Sequence, residues 1–309
     1  MDPFLVSIVV VTYNSATTII ETLESIRQQT YSTLELIITD DCSTDNTLEI
    51  CNTWLTKNGN RFTKYKIISS EKNTGVVANC NRGYYAASGT WIKDVAGDDA
   101  IYPNAIENLV GFAQLYPDAK IIHSKMKFFH NDLSEDNIIK KGKRIPRILK
   151  TNKNPNPHKQ YSLLCIINEI GAPTTFIQKN LFTQLGGYDE SIPMCEDWPM
   201  WLKTTINGYP LYFLNEYTAK YRVSTSSIMG KENKNYFFKR FYQMENLIYQ
   251  KYIKPYARHD IRFFNRYDYH VRLLLEKCNL NKPNLLAKII YYTTISPYLS
   301  LIHISEPTR

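Results

Sequence analysis

The first 125 residues alternate between short apolar runs and longer segments in which apolar residues recur every three or four positions. Continuous β-branched runs are typical of strands buried on both faces of a parallel sheet, whereas the longer period is typical of helices. Alternating strands and helices form βαβ units, so the pattern predicts an α/β fold with a mostly parallel sheet. The predicted strands cover 5–11, 34–39, 65–69, 90–95 and 119–124, and the predicted helices cover 15–29, 44–55, 76–88 and about 103–115.

Polar residues follow three of these predicted strands at the point where each strand ends. In parallel sheets a ligand binds beyond the carboxyl ends of the strands. We therefore expect the polar residues to line one crevice. The clusters are Thr12–Tyr13–Asn14, residues 40–45 (DDCSTD) and Gly97–Asp98–Asp99.

The adjacent carboxylates Asp98 and Asp99 repel each other and resist removal from water. Taken alone, an Asp-Asp pair before Tyr-Pro is more typical of a solvated turn than of a cation site. The first predicted strand, however, lacks the glycine-rich loop that usually cradles phosphates. A phosphorylated ligand in this crevice would have to be held in another way, and a divalent cation that bridges carboxylate and diphosphate oxygens would do this.

Composition places a domain boundary near residue 230. Hydrophobic residues make up 43% and charged residues 21% of the 309-residue chain, as in an ordinary soluble globular protein. Residues 1–230 hold 23 basic and 23 acidic residues, whereas 231–309 hold 14 and 6 and so carry the whole net charge of +8. We therefore predict two domains, 1–227 and 228–309.

The remaining patterns favour a cytoplasmic protein. No basic leader precedes the first apolar run, and no apolar stretch reaches the roughly 18 residues of a membrane span. The six cysteines form no CxxC pair and no metal-finger spacing, which is typical of reduced thiols. Residues 130–160 are polar, locally basic and Pro-containing, which predicts a mobile loop.

Seven segments, in a fixed order, resemble one enzyme family. They are VSIVVVTYN, IITDDCSTDNT, EKNTGVVANCNRGYYAASGTWI, AGDD, GGYDE (186–190), CEDWPMWL (195–202) and YRVSTSS (221–227). Over roughly residues 5–227 the chain is similar to the family 2 glycosyltransferases, which have the GT-A fold. The resemblance implies a Rossmann-like, mostly parallel sheet flanked by helices, with 130–160 as the acceptor loop.

The resemblance also implies the reaction. A sugar passes from a nucleotide-diphosphate donor, by implication a UDP-sugar, to a saccharide or lipid-linked glycan hydroxyl in one inverting displacement assisted by Mn²⁺ or Mg²⁺. The implied setting is bacterial O-antigen or capsule polysaccharide synthesis. The alternative is a non-catalytic protein of the same fold that binds sugars or serves as a membrane adaptor, and the intact acids at 98, 99 and 197 argue against it.

Nucleotide-binding roles are carried over from the resemblance position by position. Residues Thr12, Tyr13 and Asn14 resemble the segment that packs on the base and ribose. Asp41 resembles the acid that accepts the uracil imide proton, and Asp40 is expected to support the loop. The stretch beside the nucleotide pocket is matched by Asn73, Gly75, Asn81 and Gly83, for which ordinary turn and helix-cap chemistry remains an equal alternative.

The implied metal ligands are Asp99 as the direct ligand and Asp98 nearer the ribose. Family members commonly have Asp-x-Asp-Asp, and here Ala96 replaces the first acid. A His that often completes the metal shell is replaced by Ser224, while Arg222 is expected to face the diphosphate. These departures predict a sparse metal site.

The implied general base is Asp197, because an attacking hydroxyl must lose its proton. Glu196 is expected to contact the acceptor or to orient Asp197, and capping of a helix N-terminus is an alternative role for both acids. The tryptophans Trp198 and Trp201 are more typical of a core than of a sugar platform. Cys195 is expected to be buried filler, and no histidine spacing predicts a zinc site.

The basic, aromatic tail has three possible meanings. Lys/Arg mixed with Tyr/Phe at helical spacing over 231–290 suits the surface of an anionic membrane, which would place the protein at the inner face of the cell membrane. A helical extension covering the first domain is nearly as well supported, whereas nucleic acid is not expected as a partner. The final LIHISEPTR resembles a translated cloning linker, so we expect a non-native C-terminus.

Overall fold

The structure, a computed structural model, describes residues 4–139, 146, 154–223, 239–282, 285–286, 289–290 and 293. The chain divides into two compact units. The larger unit holds the residues up to 160 together with 169–223, and the smaller holds 161–168 together with the residues from 224 onward. The stretch that contains the predicted domain boundary, 224–238, lies outside the described residues.

The strands of the larger unit form one sheet. Within the described residues they are β1 (Val6–Thr12), β2 (Leu34–Asp40), β3 (Lys64–Ser69), β4 (Trp91–Ala96), β5 (Ala100–Ile101), β6 (Ile121–His130), β7 (Ile138–Ile139), β8 (Phe176–Gln178) and β9 (Tyr212–Val223). Their order is β3-β2-β1-β4-β8-β6-β9-β5, with β7 paired to β6. Strand β1 runs parallel to β2 and β4, β3 runs parallel to β2, and β9 runs parallel to β6.

The described helices are α1 (Ile19–Arg27), α2 (Thr47–Asn58), α3 (Val76–Ala86), α4 (Ala105–Leu115), α5 (Pro157–Leu164), α6 (Lys179–Gln184), α7 (Asp197–Ile206), α8 (Lys239–Ile248) and α9 (His259–Lys277). Each strand and helix predicted in the first 125 residues is confirmed, with shifted ends. The predicted α/β class with a mostly parallel, helix-flanked sheet is also confirmed.

The centre of the sheet is buried on both faces. All seven residues of β2 are buried, and the alternate positions Val6, Ile8 and Val10 of β1 belong to the same core as Leu23 of α1. Helix α3 contacts the sheet through Gly83, where a Cβ atom would lie 2.4 Å from a Val9 methyl carbon. Glycine is therefore required for α3 to pack this closely, and this packing fixes the residues that precede α3 beside the ends of β1 and β2.

Two sequence predictions need correction. The strand predicted over 119–124 continues to His130, because its second half pairs with β9 from Lys125 to His130. The ammonium groups of Lys125 and Lys127 also lie 5.3 Å from the centre of the Tyr217 ring. The loop prediction for 130–160 does not hold at its described ends. There, 138–139 form β7 and 157–160 begin α5.

The smaller unit is helical in its described part. After α8 comes a π-helical turn, Tyr249–Ile253, and then α9. The hydroxyl of Tyr161 donates to the carbonyl of Tyr252 at 2.8 Å, and the amide of Asn265 donates to the carbonyl of Cys165 at 2.9 Å, so the 161–168 segment is tied to this unit. Among the described residues, no helix combines the length and the apolar character needed to cross a membrane.

Candidate functional site

The polar clusters at the ends of β1, β2 and β4 are bonded into one edge of the sheet. The amide of Asn14 donates to Ser43 Oγ, and the amide of Thr44 donates to Asn14 Oδ1, both at 2.8 Å. Asn14 has a φ of 50°, a left-handed conformation that Asn tolerates because its side chain bonds locally. On the other side of β1, the amide of Gly97 donates to the carbonyl of Val11 at 2.9 Å. The three clusters therefore adjoin one another at the carboxyl ends of β1, β2 and β4, as predicted, and their lining of a ligand crevice stays a prediction.

The carboxylate of Asp41 organises the turn that precedes α3. Its Oδ1 accepts the Thr74 hydroxyl at 2.6 Å, its Oδ2 accepts the Gly75 amide at 2.7 Å, and the Thr74 amide lies 3.0 Å from both oxygens. The residue is only 2% exposed. Because a carboxylate has about four lone-pair sites, a uracil imide would have to displace one of these donors to reach Asp41. The neighbouring Asp40 accepts the Ser43 amide at 2.8 Å, the loop-supporting role expected of it.

Asn79 joins the ends of β1 and β2 to α3, a role that the sequence analysis does not identify. Its amide nitrogen donates to the carbonyls of Thr12 at 3.1 Å and Thr39 at 3.2 Å. Its oxygen accepts the Thr39 hydroxyl at 2.6 Å and an Arg82 N–H at 2.8 Å. The available signal is positional: an amide side chain one helical turn before Gly83 lies on the helix face that meets the sheet.

The other predicted nucleotide contacts differ in accessibility. Tyr13 is 48% exposed and Asn73 is also exposed. Thr12 is 2% exposed, and its hydroxyl has no hydrogen-bond partner among the described residues. Asn81 is 6% exposed; its amide donates to the carbonyl of Tyr188 at 3.0 Å, and its oxygen accepts the Tyr188 amide at 2.8 Å. These contacts give Asn81 a structural role and do not support the predicted nucleotide contact.

The carboxylates of Asp98 and Asp99 lie in the turn that follows β4. A Cβ atom on Gly97 would lie 2.8 Å from the hydroxyls of Thr12 and Ser15, so glycine lets this turn approach the end of β1. Asp98 is exposed, whereas Asp99 is 2% exposed. Burial, and then the charge of Asp98, raise the pKa of Asp99 well above its ordinary value. A cation bound by both groups would relieve this repulsion.

Arg222 is bound to the protein rather than directed at a ligand. Its Nε donates to the carbonyl of Asp98 at 2.7 Å, its Nη1 donates to the carbonyl of Asn131, and its Nη2 pairs with Glu21. The side chain is 7% exposed. Each guanidinium nitrogen thus has a protein acceptor, so the contacts do not support the prediction that Arg222 faces the diphosphate.

The acids at the end of β4 fit a divalent cation in chemistry but offer few ligands. Carboxylate oxygens are the ligands that Mg²⁺ and Mn²⁺ prefer. Within the described ranges, no three His, Cys, Asp or Glu side chains cluster as a metal shell. Ala96 supplies no oxygen from its side chain, and Ser224 lies outside the described residues. Asp98 and Asp99 would therefore hold the cation together with water or ligand oxygens.

The acids Glu196 and Asp197 lie at the start of α7. Asp197 Oδ1 accepts the Trp198 amide at 2.7 Å within the first turn of α7, where a carboxylate is favoured, whereas the N-cap residue Glu196 makes no side-chain cap bond. Burial, and then the charge of Asp197, raise the pKa of Glu196 to about 8, and Asp94 adds to this effect. Asp94 belongs to β4, four residues before Asp98, so α7 begins near the strand that precedes the turn with the predicted metal ligands.

We predict that Glu196→Gln raises resistance to unfolding at pH 9 but not at pH 4. The folded-state pKa of about 8 exceeds the ordinary value of 4.5. Between these values the folded state binds more protons than the unfolded state, so wild-type stability falls as the pH rises through this window. Because Glu196 keeps some solvent contact, the gain at pH 9 should be about 1–3 kcal/mol. Thermal unfolding of both proteins at both pH values measures it, and a difference independent of pH would contradict the assignment.

The other candidates near α7 belong to the core. Trp201 is 1% exposed and packs edge-on against His123 with ring centres 4.5 Å apart, so it is not a sugar platform. Burial raises the pKa of the Cys195 thiol far above its ordinary value, which agrees with its predicted role as inert filler.

Comparison with known proteins now decides the family. A family model described as Glycosyl transferase family 2 matches residues 7–167, just over half of the 309 residues. The chain belongs to this family. An uncharacterized glycosyltransferase of Haemophilus influenzae is 28% identical over 306 residues, covering 96% of this chain and 86% of that protein. The protein is a glycosyltransferase, as predicted.

Solved structures of low identity support the GT-A fold. TarS residues 1–349 of S. aureus, in complex with UDP-GlcNAc, give a TM-score of 0.65 at 19% identity, over 96% of this chain and 81% of that one. The mannosyltransferase PcManGT of Pyrobaculum calidifontis, in complex with GDP-Man and Mn²⁺, gives a TM-score of 0.52 at 16% identity, over 98% and 76%. These similarities confirm the fold predicted for the glycosyltransferase.

Proposed function

We propose that this glycosyltransferase moves a sugar from a nucleotide-diphosphate donor to a saccharide hydroxyl in one inverting displacement. The observation that carries the proposal is the convergence of three strand ends on one edge, where two adjacent carboxylates follow β4 and the pKa of the buried one, Asp99, is raised well above its ordinary value. The pair Glu196–Asp197 lies near the same strand, as the electrostatic effect of Asp94 on Glu196 indicates. The carboxylates at this edge can hold a cation, and the acids at the start of α7 supply a proton acceptor near β4.

In this proposal Asp197 accepts the proton of the attacking hydroxyl. Its position in the first turn of α7 favours the ionised form, because a helix N-terminus stabilises negative charge. Glu196, with its pKa of about 8, is protonated at neutral pH and can donate a hydrogen bond to an acceptor oxygen. In this proposal the two adjacent acids take different roles: Glu196 donates a hydrogen bond and Asp197 accepts the proton.

The donor is proposed to bind along the edge formed by β1, β2 and β4. The exposed ring of Tyr13 offers a surface for the base, and Asp98 and Asp99 would hold a divalent cation. When bound there, Mn²⁺ or Mg²⁺ would neutralise charge on the diphosphate leaving group. We propose a UDP-sugar, since UDP-GlcNAc is the ligand of the TarS structure that resembles this chain. The Asp41 carboxylate would then either keep its bonds to Thr74 and Gly75 and support the turn before α3, or give up one of these donors to accept the uracil imide proton.

Nucleotide release from purified protein tests this proposal. The enzyme is incubated with UDP-, GDP- and dTDP-sugars and a mixture of saccharide and lipid-linked acceptors, with Mn²⁺, with Mg²⁺ or with EDTA. We expect release from a UDP-sugar that requires acceptor and is lost in EDTA. Binding of UDP without turnover of any donor would instead favour the non-catalytic alternative.

We further propose that α9 contacts an anionic membrane surface from the cytoplasmic side. Its exposed residues recur every three or four positions and combine positive or titratable groups with large apolar groups: His259, Phe263, Arg266, His270, Leu274 and Lys277. This exposed face of α9 contains no acid. Basic and apolar groups on one helix face suit the headgroup region of a bilayer, where a lipid-linked glycan acceptor would also lie.

Vesicle binding tests the membrane contact. We expect the protein to sediment with vesicles containing anionic lipid but not with neutral ones, and to be released by high salt. The double variant Arg266→Glu/Lys277→Glu should lose most binding, whereas Lys57→Glu, at an exposed position of α2, should lose little. Equal sedimentation of both variants with anionic vesicles would assign α9 a structural role.

A further inference from the structure

Helix α1 directs a polar stripe at the turn that carries Asp98 and Asp99. We name Thr18, Glu21 and Thr22 the α1 stripe. Thr18 Oγ1 donates to the carbonyl of Gly97 at 2.8 Å, and Thr22 Oγ1 donates to the carbonyl of Asp99 at 2.7 Å. Residues four apart lie on one face of a helix, and these two threonines therefore reach alternate residues of the turn.

The remaining carbonyl of the turn, that of Asp98, accepts a bond from Arg222, whose side chain pairs with Glu21. Arg222 Nε donates to the carbonyl of Asp98 at 2.7 Å, while Nη2 pairs with Glu21. The Arg222 amide also donates to Asp99 Oδ1 at 2.9 Å. All three carbonyl oxygens of the turn thus accept a bond from α1 or from the arginine that α1 holds.

Thr18 occupies the N-cap of α1 but does not cap the helix with its side chain. At that position a Thr oxygen usually accepts an N–H from the first helical turn. Here the hydroxyl donates to Gly97 instead. Thr22 is 0% exposed, so its hydroxyl is committed to Asp99 without competition from water. Both residues are therefore used for the turn rather than for the helix.

We propose that the α1 stripe is a positioning element that sets cation and diphosphate affinity by fixing the Gly97–Asp99 backbone. The effect on cation and diphosphate binding rests on the proposed function. With its carbonyls already bonded, the turn offers the carboxylates of Asp98 and Asp99 as its oxygen ligands. With Ala96 in place of a third acid, the site depends on these two carboxylates alone. If they were free to move, cation binding would also have to order them, which would lower the affinity.

Mn²⁺ titration in the presence of UDP, followed by electron paramagnetic resonance, tests the role of Thr22. We expect Thr22→Val to weaken Mn²⁺ binding about 10-fold, the usual effect of one lost hydrogen bond with a buried partner left unpaired. Thr22→Ser keeps the hydroxyl and should stay close to wild type. Thr17→Val, at an exposed position just before α1, is the matched control and should change nothing.

Glu21→Gln provides a second variant, since Thr22 is fully buried whereas the Glu21 side chain is 44% exposed. It removes the charge that holds Arg222 and should weaken Mn²⁺ binding in the same direction. If both variants fold and bind Mn²⁺ as tightly as wild type, the proposal is overturned. The same holds if Thr17→Val weakens binding as much as Thr22→Val.

Hydrogen exchange in the peptide that contains residues 96–101 separates this proposal from the proposed function. We expect faster exchange there in Thr22→Val and Glu21→Gln than in wild type or Thr17→Val, without any ligand present. Wild-type protein that binds neither Mn²⁺ nor UDP would overturn the proposed function. In that case faster exchange in the two variants still supports the positioning role of the α1 stripe, and unchanged exchange overturns it.

Discussion

Asp197→Asn is expected to lower sugar transfer by about 10²–10⁴-fold, the usual contribution of a general base. Asn has nearly the same shape and can still accept the Trp198 amide through its oxygen, so the start of α7 should keep its structure. What it cannot do is take a proton from the attacking hydroxyl. Donor affinity, which in our proposal depends on the ends of β1, β2 and β4, should stay within about twofold.

Steady-state transfer and donor binding are measured separately for this variant. Glu196→Gln is the informative neighbour, because a residue that is already protonated at neutral pH loses little when it becomes an amide; we expect at most about a 10-fold loss. Asp118→Asn, at an exposed position of the larger unit, controls for the loss of one acid. Wild-type turnover in Asp197→Asn with donor bound would show that another group takes the proton.

The elements that the sequence predicts well are those whose burial is encoded locally. Strand β2 is buried at all seven positions, and its apolar run predicts this burial without information from any distant residue. Strand β6 is harder, because the alternation of lysines and apolar residues in its second half covers only residues 125–128, and its contact Tyr217 lies about 90 residues away. Neither segment alone indicates which distant segment it pairs with.

The candidate site shows the same limit. The placement of Asp98 and Asp99 after β4 follows from the apolar run that ends at residue 96, and the structure confirms it. The partners of Asp41 and Arg222 do not follow, because they depend on which distant donors and acceptors the fold brings near. A motif identifies the residue that stands at a strand end, whereas the fold decides whether its polar atoms are already engaged.

Asp99→Asn should lower sugar transfer by about 10²-fold or more, since charge stabilisation at a metal site is worth several kcal/mol. The Arg222 amide can still donate to the Asn oxygen, so the contact between β9 and the turn is kept. The substitution removes one of the two carboxylates proposed to bind the cation, and Ala96 has no side-chain oxygen that could replace it. Mn²⁺ affinity in the presence of UDP should fall in parallel with activity.

This variant has a second expected signature that a general structural defect would not produce. Asp99 is 2% exposed and lies beside a like charge, so its removal should leave the metal-free protein as stable as wild type or more stable. Wild type should therefore gain more thermal stability from Mn²⁺ and UDP than Asp99→Asn does. Asp136→Asn, an exposed acid of the same unit, should gain as much as wild type. Equal gains for all three proteins would place the cation elsewhere, because a ligand stabilises a protein only through the groups that bind it in the folded state.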